Sequence, residues 1–349
     1  MRDATPAPTT NLAAKPVTQL QRIPPGWSYN PSSWRERWPL IVLAAIGLLA
    51  ALYTALSQLG VFPTMWDPFF GGASSYAVTH SAISRLLPVP DGVFGVIGYL
   101  FDLIFGSLGG GDRWRSRPWA VLIFAVVIVA LGIVSLVLTI LQGAVIDQWC
   151  TVCLISAADS TLILGLGVGE ALASLQYLAR VFLELGFSAA WRALWGMGEA
   201  RRRDPYEAGW APAIAIATPR RNTAPDIARW LQLIAIALGI WLMVSPAVLP
   251  STGSGAGVAR IGGPLAIWVG MLALRGVTRP FRALNVVTGM FLAITPWVVS
   301  NTSPLILSSV LVGWALIVIA LPRGTVRERT GGGWWAAVQP ELVNHASDR

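Results

Sequence analysis

Apolar residues in this chain run in eight continuous blocks, without the strict alternation of half-buried strands. The first four cover about 39–62, 92–108, 119–141 and 150–172, and each comes close to the roughly 20 residues that cross a bilayer as a helix. Four shorter blocks follow at about 230–249, 261–274, 283–299 and 305–321. The pattern predicts an all-α integral membrane protein. No cleavable signal peptide is expected, because the first apolar block is itself long enough to span.

The segments between blocks divide the chain. Residues 1–38 are rich in Pro, Thr, Ser and Arg and predict a disordered tail ending in the collar Trp34-Arg35-Glu36-Arg37-Trp38, suited to a membrane interface. A polar, aromatic loop at 66–76 leads into a part-apolar stretch, 78–87, that predicts a short surface helix. The link 142–149 is short. Residues 177–227 break the apolar pattern, with an amphipathic interface helix expected over 178–197 and an Arg-, Pro- and Ala-rich linker behind it. This sets the units as 39–176 and 228–322, with a basic, Gly-rich tail, 323–349, expected to be disordered.

The second unit contains a repeat. Gly239-Ile-Trp-Leu-Met-Val-Ser245-Pro246 aligns with Gly289-Met-Phe-Leu-Ala-Ile-Thr295-Pro296 at an offset of fifty, the mark of a duplicated helical hairpin.

Composition agrees with a membrane protein: 54% hydrophobic and 12% charged residues. The net charge of +8 does not point to nucleic acid, because the arginines lie in short segments between apolar blocks. Clusters at Arg35/Arg37, 113–117, 201–221, Arg275/Arg279/Arg282 and Arg323/Arg327/Arg329 fall on alternate sides of successive spans. Eight spans with both termini in the cytoplasm put all five inside, as the positive-inside rule asks. Arg85 and Arg260 are the exceptions, left on the outer side.

The chemistry centres on Trp149-Cys150-Thr151-Val152-Cys153-Leu154, which holds the only two cysteines. A Cys-x-x-Cys pair in the first turn of a helix brings both sulfurs to one face, where the helix N-terminus favours thiolate. Such a pair cycles between dithiol and disulfide. The bland alternative is two small apolar fillers. A zinc site would need further ligands, and the only histidines are His80, read as a loop residue, and His345. The topology puts the pair at the outer face, an oxidising space. Asp147, just before the motif, is a candidate to raise the thiol pKa.

The order of parts over about 39–176 resembles the vitamin K epoxide reductase family, bacterial branch. The redox motif at 149–155 matches, as do Val89-Pro90-Asp91-Gly92-Val93-Phe94-Gly95-Val96-Ile97-Gly98-Tyr99 at the second helix, the long first loop and the short third link. The resemblance implies a four-helix bundle in the bacterial inner membrane with a quinone, menaquinone or ubiquinone, held among the helix ends. Cys153 would exchange electrons with the quinone, and Cys150 with a thiol of an extracytoplasmic thioredoxin-like partner. It further implies Asp91 as a polar quinone contact, alongside a plain N-cap role, and Phe94 as a ring to stack on. Tyr99 is a third candidate contact, and plain packing is the alternative for Phe94 and Tyr99 alike. Two departures stand out. The loop cysteines of many members are missing, with Ser74 or Ser75 near their place, and Ala157 replaces a tyrosine of some members. The second half resembles the SPW repeat family through Ser245-Pro246-Ala247 and Thr295-Pro296-Trp297, which implies no catalytic role.

Asp159 lies inside the fourth span and is a candidate proton relay, or a partner of Ser160 or of a polar group on a neighbouring helix. Asp102 and Glu170 are expected near the inner interface, solvated. The function read here is a quinone-coupled thiol oxidoreductase embedded in lipid. The rival is a non-catalytic scaffold or small-molecule binder that keeps the fold. A transporter fits the repeat but lacks charged residues in its spans.

Overall fold

A computed structural model describes residues 23–85, 88–197, 227–250, 253–299, 303–322 and 330–338. The linker 198–226 and the outermost tail residues lie outside it. Among the described residues the fold is helical, with one isolated β-bridge, Trp27 to Thr330.

The first unit is built on four long helices: α1 (Trp34–Gln58), α3 (Asp91–Ser107), α5 (Pro118–Leu141) and α6 (Thr151–Leu185). Three short ones accompany them, α2 (Gly72–Thr79), α4 (Arg113–Ser116) and α7 (Phe187–Leu194). A π-turn, Gln142–Ile146, prolongs α5. The second unit has α8 (Ile227–Val248), α9 (Gly253–Leu272), α10 (Leu284–Val299) and α11 (Pro304–Ala320), and a short α12 (Gly333–Val338) closes the chain. Among the described residues five helices are long and apolar enough to cross a membrane, which makes this a multi-pass membrane protein.

Polarity is distributed as lipid demands. Val42, Ile46, Leu49, Ile97, Leu100, Val126, Leu311 and Val318 face outward, while Thr54, Ser57, Thr139, Thr161, Ser174 and Ser309 are buried. Helices in hydrocarbon gain little by hiding apolar surface from each other, so small and polar side chains fill their contacts. In the second unit this is sharpest at two crossings. Cβ atoms built at Gly239 and Gly263 would each lie 2.8 Å from the other's carbonyl oxygen. At Gly289 and Gly313 the same test gives 2.5 and 2.7 Å. The second pair sits fifty residues after the first, so the repeat in sequence is a repeated helix crossing.

Several expectations need correction. The short helix expected over 78–87 forms earlier, as α2, because Gly71 (φ 82°) and Gly72 turn the chain back onto Met65; a Cβ at Gly72 would lie 1.9 Å from the Met65 carbonyl oxygen. The interface helix expected over 178–197 is instead the end of α6 followed by α7, broken at Gly186 (φ 82°). Residues 23–38 and 330–338, expected to lie in disordered tails, are packed against the helices. Trp27 is 3% exposed and donates from its indole to Gln176 Oε1 at 2.8 Å, while the Gln176 amide donates to the carbonyls of Thr330 and Gly333. Trp334 donates to the Val277 carbonyl at 3.2 Å. These irregular segments are fixed by aromatic burial and one shared glutamine, which leaves no periodic trace in sequence.

Asp102 and Glu170, expected to be solvated, are buried at 1% and 3% exposure. Glu170 forms an ion pair with Arg113, its Oε1 accepts from the Ser32 hydroxyl, and Arg113 Nη1 also reaches the Phe105 and Leu108 carbonyls. Arg37 donates to the carbonyls of Gly106, Leu108 and Gly109, covering the C-terminus of α3 with a cation. Arg37, Arg113 and Arg275 thus collect at the end of the bundle opposite the cysteines, where Arg275 pairs with Glu36.

Candidate redox site

Cys150 is the N-cap of α6 and Cys153 lies in its first turn, so helix geometry alone brings their Cα atoms to 5.3 Å. The two are joined in a disulfide. The backbone N–H of Cys153 also donates to Cys150 Sγ at 3.2 Å, a sulfur taking the place of the usual capping oxygen. Cys150 is fully buried, whereas Cys153 is half-buried.

Both chain neighbours of Cys150 are pinned by the first loop. Ser74 Oγ donates to the Trp149 carbonyl at 2.7 Å and accepts from the Trp149 N–H at 3.1 Å. Asp67 takes the other side: Oδ2 accepts from the Thr151 N–H at 2.8 Å and Oδ1 from its hydroxyl at 2.6 Å. The same carboxylate accepts from the N–H groups of Phe69 and Phe70 and from the Ser75 hydroxyl. Burial pushes the Asp67 carboxyl up, but the hydrogen bonds from Ser75, Thr151 and Phe70 outweigh it and hold the group well below the usual carboxylate range. From behind, Gln142 Oε1 accepts from the Cys150 N–H at 3.2 Å. Ser74 and Ser75 therefore work as anchors of the loop.

Cys153, Ser156 and Ser160 share one face of α6 by their spacing. The Tyr99 hydroxyl meets that face, 2.6 Å from the Ser156 carbonyl oxygen and 2.7 Å from Ser160 Oγ. Tyr99 reaches it across α1, where its ring lies so close to Gly47 that a Cβ there would fall within 2.3 Å. Asp91 accepts from the Gln58 amide, and Gln58 Oε1 accepts from the Gly92 N–H at 3.0 Å, so α1 caps the start of α3. Phe94 is 44% exposed. Asp159 is buried, and its Oδ2 finds no hydrogen-bond partner among the described residues; neither carboxylate oxygen of Asp102 does. His80 stacks on Tyr76 at 3.8 Å in the loop.

Two family models match the chain. Residues 38–168 match the model of the vitamin K epoxide reductase family, and residues 229–323 match that of the SPW repeat domain. The chain joins a vitamin K epoxide reductase family domain to an SPW repeat domain. No curated protein and no solved structure matches it. A membrane redox role follows for the first domain, with Cys150 and Cys153 as its cysteine pair.

Sequence reading missed Asp67, Gln58 and Gln142 in this domain. Only Asp67 left a signal: Asp-Pro-Phe-Phe is an Asx-turn sequence, in which the carboxylate takes N–H groups two and three residues on. Its further reach to Thr151 is invisible in the chain.

Proposed function

We propose that this protein is a quinone-coupled thiol oxidoreductase of the bacterial cytoplasmic membrane. The observation that carries the reading is the Cys150–Cys153 disulfide at the N-terminus of α6. A thiolate of an extracytoplasmic thioredoxin-like partner attacks Cys150 Sγ, Cys153 leaves as thiolate, and a second partner thiol resolves the mixed disulfide. A quinone, menaquinone or ubiquinone, held near Asp91 and Phe94 would supply the acceptor for the two electrons and two protons that the dithiol gives up on returning to disulfide. The positive end of α6 stabilises the thiolate at each stage.

The residues present fit a quinone in part. Phe94 keeps an exposed ring for stacking, and Asp91 sits at the mouth of α3 as the polar contact. Tyr99 is committed to Ser156 and Ser160, so its role is to close the inner end of the Cys153 face. Asp159, buried one residue from Ser160 with an unpartnered oxygen, is the proton relay we assign. Because Cys150 is fully buried, exchange requires the 67–75 loop to lift from Trp149 and Thr151. The arginines gathered at the far end support a cytoplasmic location for that end and an outer location for the disulfide.

The burial of Cys150 also favours a second reading, a scaffold that keeps the fold without turnover. Redox state in isolated membranes separates the two. Thiol alkylation should show the pair as disulfide after quinone addition and as dithiol after a dithiol donor. Cys153→Ser should abolish quinone-dependent oxidation of a thiol donor. Turnover retained in that variant refutes the assigned role, and thiols that stay reduced in the unaltered protein favour the scaffold.

A further inference from the structure

The SPW domain touches the redox site. Its α9 packs along α5 and α6, where Trp268 donates to the Gly132 carbonyl at 3.1 Å, and its N-terminal half lies against the connector that feeds the cysteines. There Arg260 forms an ion pair with Asp147. A Cβ at Gly143 would meet the Trp149 ring at 2.6 Å and Arg260 Cβ at 3.2 Å, so the stem of Arg260 and the indole both close over a residue with no side chain. Asp147 itself is held in the left-handed region, φ 57°, the only non-glycine residue so placed among those described. It closes the π-turn whose first residue, Gln142, accepts from both the Gln148 and Cys150 N–H groups.

These contacts explain an anomaly in the charge pattern. Arg260 breaks the positive-inside rule, standing at the end of the bundle that otherwise lacks arginine clusters. A cation kept there against topology has a local acid to neutralise. That acid lies three residues before Cys150, within about 11 Å along even a fully extended backbone, comparable to the screening length at ordinary ionic strength.

We propose that Arg260 of the SPW domain is a positioning residue for the redox pair: it holds the Asp147–Trp149 connector and cancels the negative charge of Asp147 beside Cys150. The second half of the chain thereby tunes the first. This rests on the redox reading of the cysteines and adds to it a part for the SPW domain.

The test uses the full chain in membranes and reads the dithiol–disulfide equilibrium of Cys150–Cys153 against a glutathione redox buffer. Arg260→Gln leaves Asp147 uncompensated, disfavours thiolate and shifts the equilibrium about two- to fivefold toward disulfide, the scale of an exposed ion pair. Arg260→Lys keeps the unaltered value. Asp147→Asn, which asparagine's tolerance of the left-handed region permits, restores the equilibrium when combined with Arg260→Gln. Trp268→Phe, which loses the tie to Gly132 away from the cysteines, leaves it unmoved. An Arg260→Gln protein with the unaltered equilibrium overturns the proposal, as does a double variant that stays shifted or a Trp268→Phe shift of equal size. A pair that never cycles in the unaltered protein instead overturns the redox reading beneath it.

Discussion

Asp67→Asn isolates the clasp over Cys150. The substitution keeps the shape and leaves one oxygen for the Phe69 and Phe70 amides, but it turns Oδ2 into an amide nitrogen facing the Thr151 N–H and the Ser75 hydroxyl. The hydroxyl can rotate to accept; the Thr151 N–H cannot. Hydrogen bonds to a charged group are worth about 1.5–3 kcal/mol each, and an unmet buried donor costs about 1–3. We take about 3 kcal/mol off the docked loop. If Cys150 is reached only when the loop lifts, the open population rises roughly a hundredfold. The assay is alkylation of the reduced protein by a membrane-impermeant maleimide, with the Cys150 to Cys153 ratio followed by mass spectrometry. Cys153, already half-buried rather than sealed, serves as the internal reference. An unchanged ratio refutes the clasp. The same carboxylate sets the pH response. Its folded-state pKa lies below the unfolded value, so its contribution is complete above the unfolded value and is lost as pH falls through the folded one. The Cys150 shield should therefore hold from neutral pH down through about pH 5 and fail only in stronger acid.

Two further substitutions probe the bundle. Glu170→Gln leaves Arg113 as an uncompensated buried cation and should cost about 3–5 kcal/mol, read as a large drop in the thermal midpoint in detergent; a shift near zero would mean the pair is solvated after all. Tyr99→Phe removes the hydroxyl that ties α3 to Ser156 and Ser160, and about 1–3 kcal/mol of stability with it. The thermal midpoint checks this, and an unaffected protein would show that Tyr99 packs without tying the helices.

The sequence by itself determined the helices, because a bilayer admits few ways to satisfy a backbone and an apolar block of spanning length declares one of them. It determined the pairing of Cys150 with Cys153 as well, since three residues in a first helical turn place two sulfurs together whatever the rest of the fold does. The fifty-residue repeat was equally legible, although the aligned stretches contain only one glycine of each crossing. Tertiary structure decided which polar groups meet. Asp67 reads as a turn residue until Thr151, 84 positions later, comes within hydrogen-bond reach. Glu170 looked solvated because its distance from the end of an apolar block says nothing about Arg113 and Ser32 arriving from other segments. Arg260 looked misplaced until α9 laid it beside Asp147. Local periodicity is written in neighbours along the chain, whereas the worth of a buried charge depends on a partner that only packing brings near.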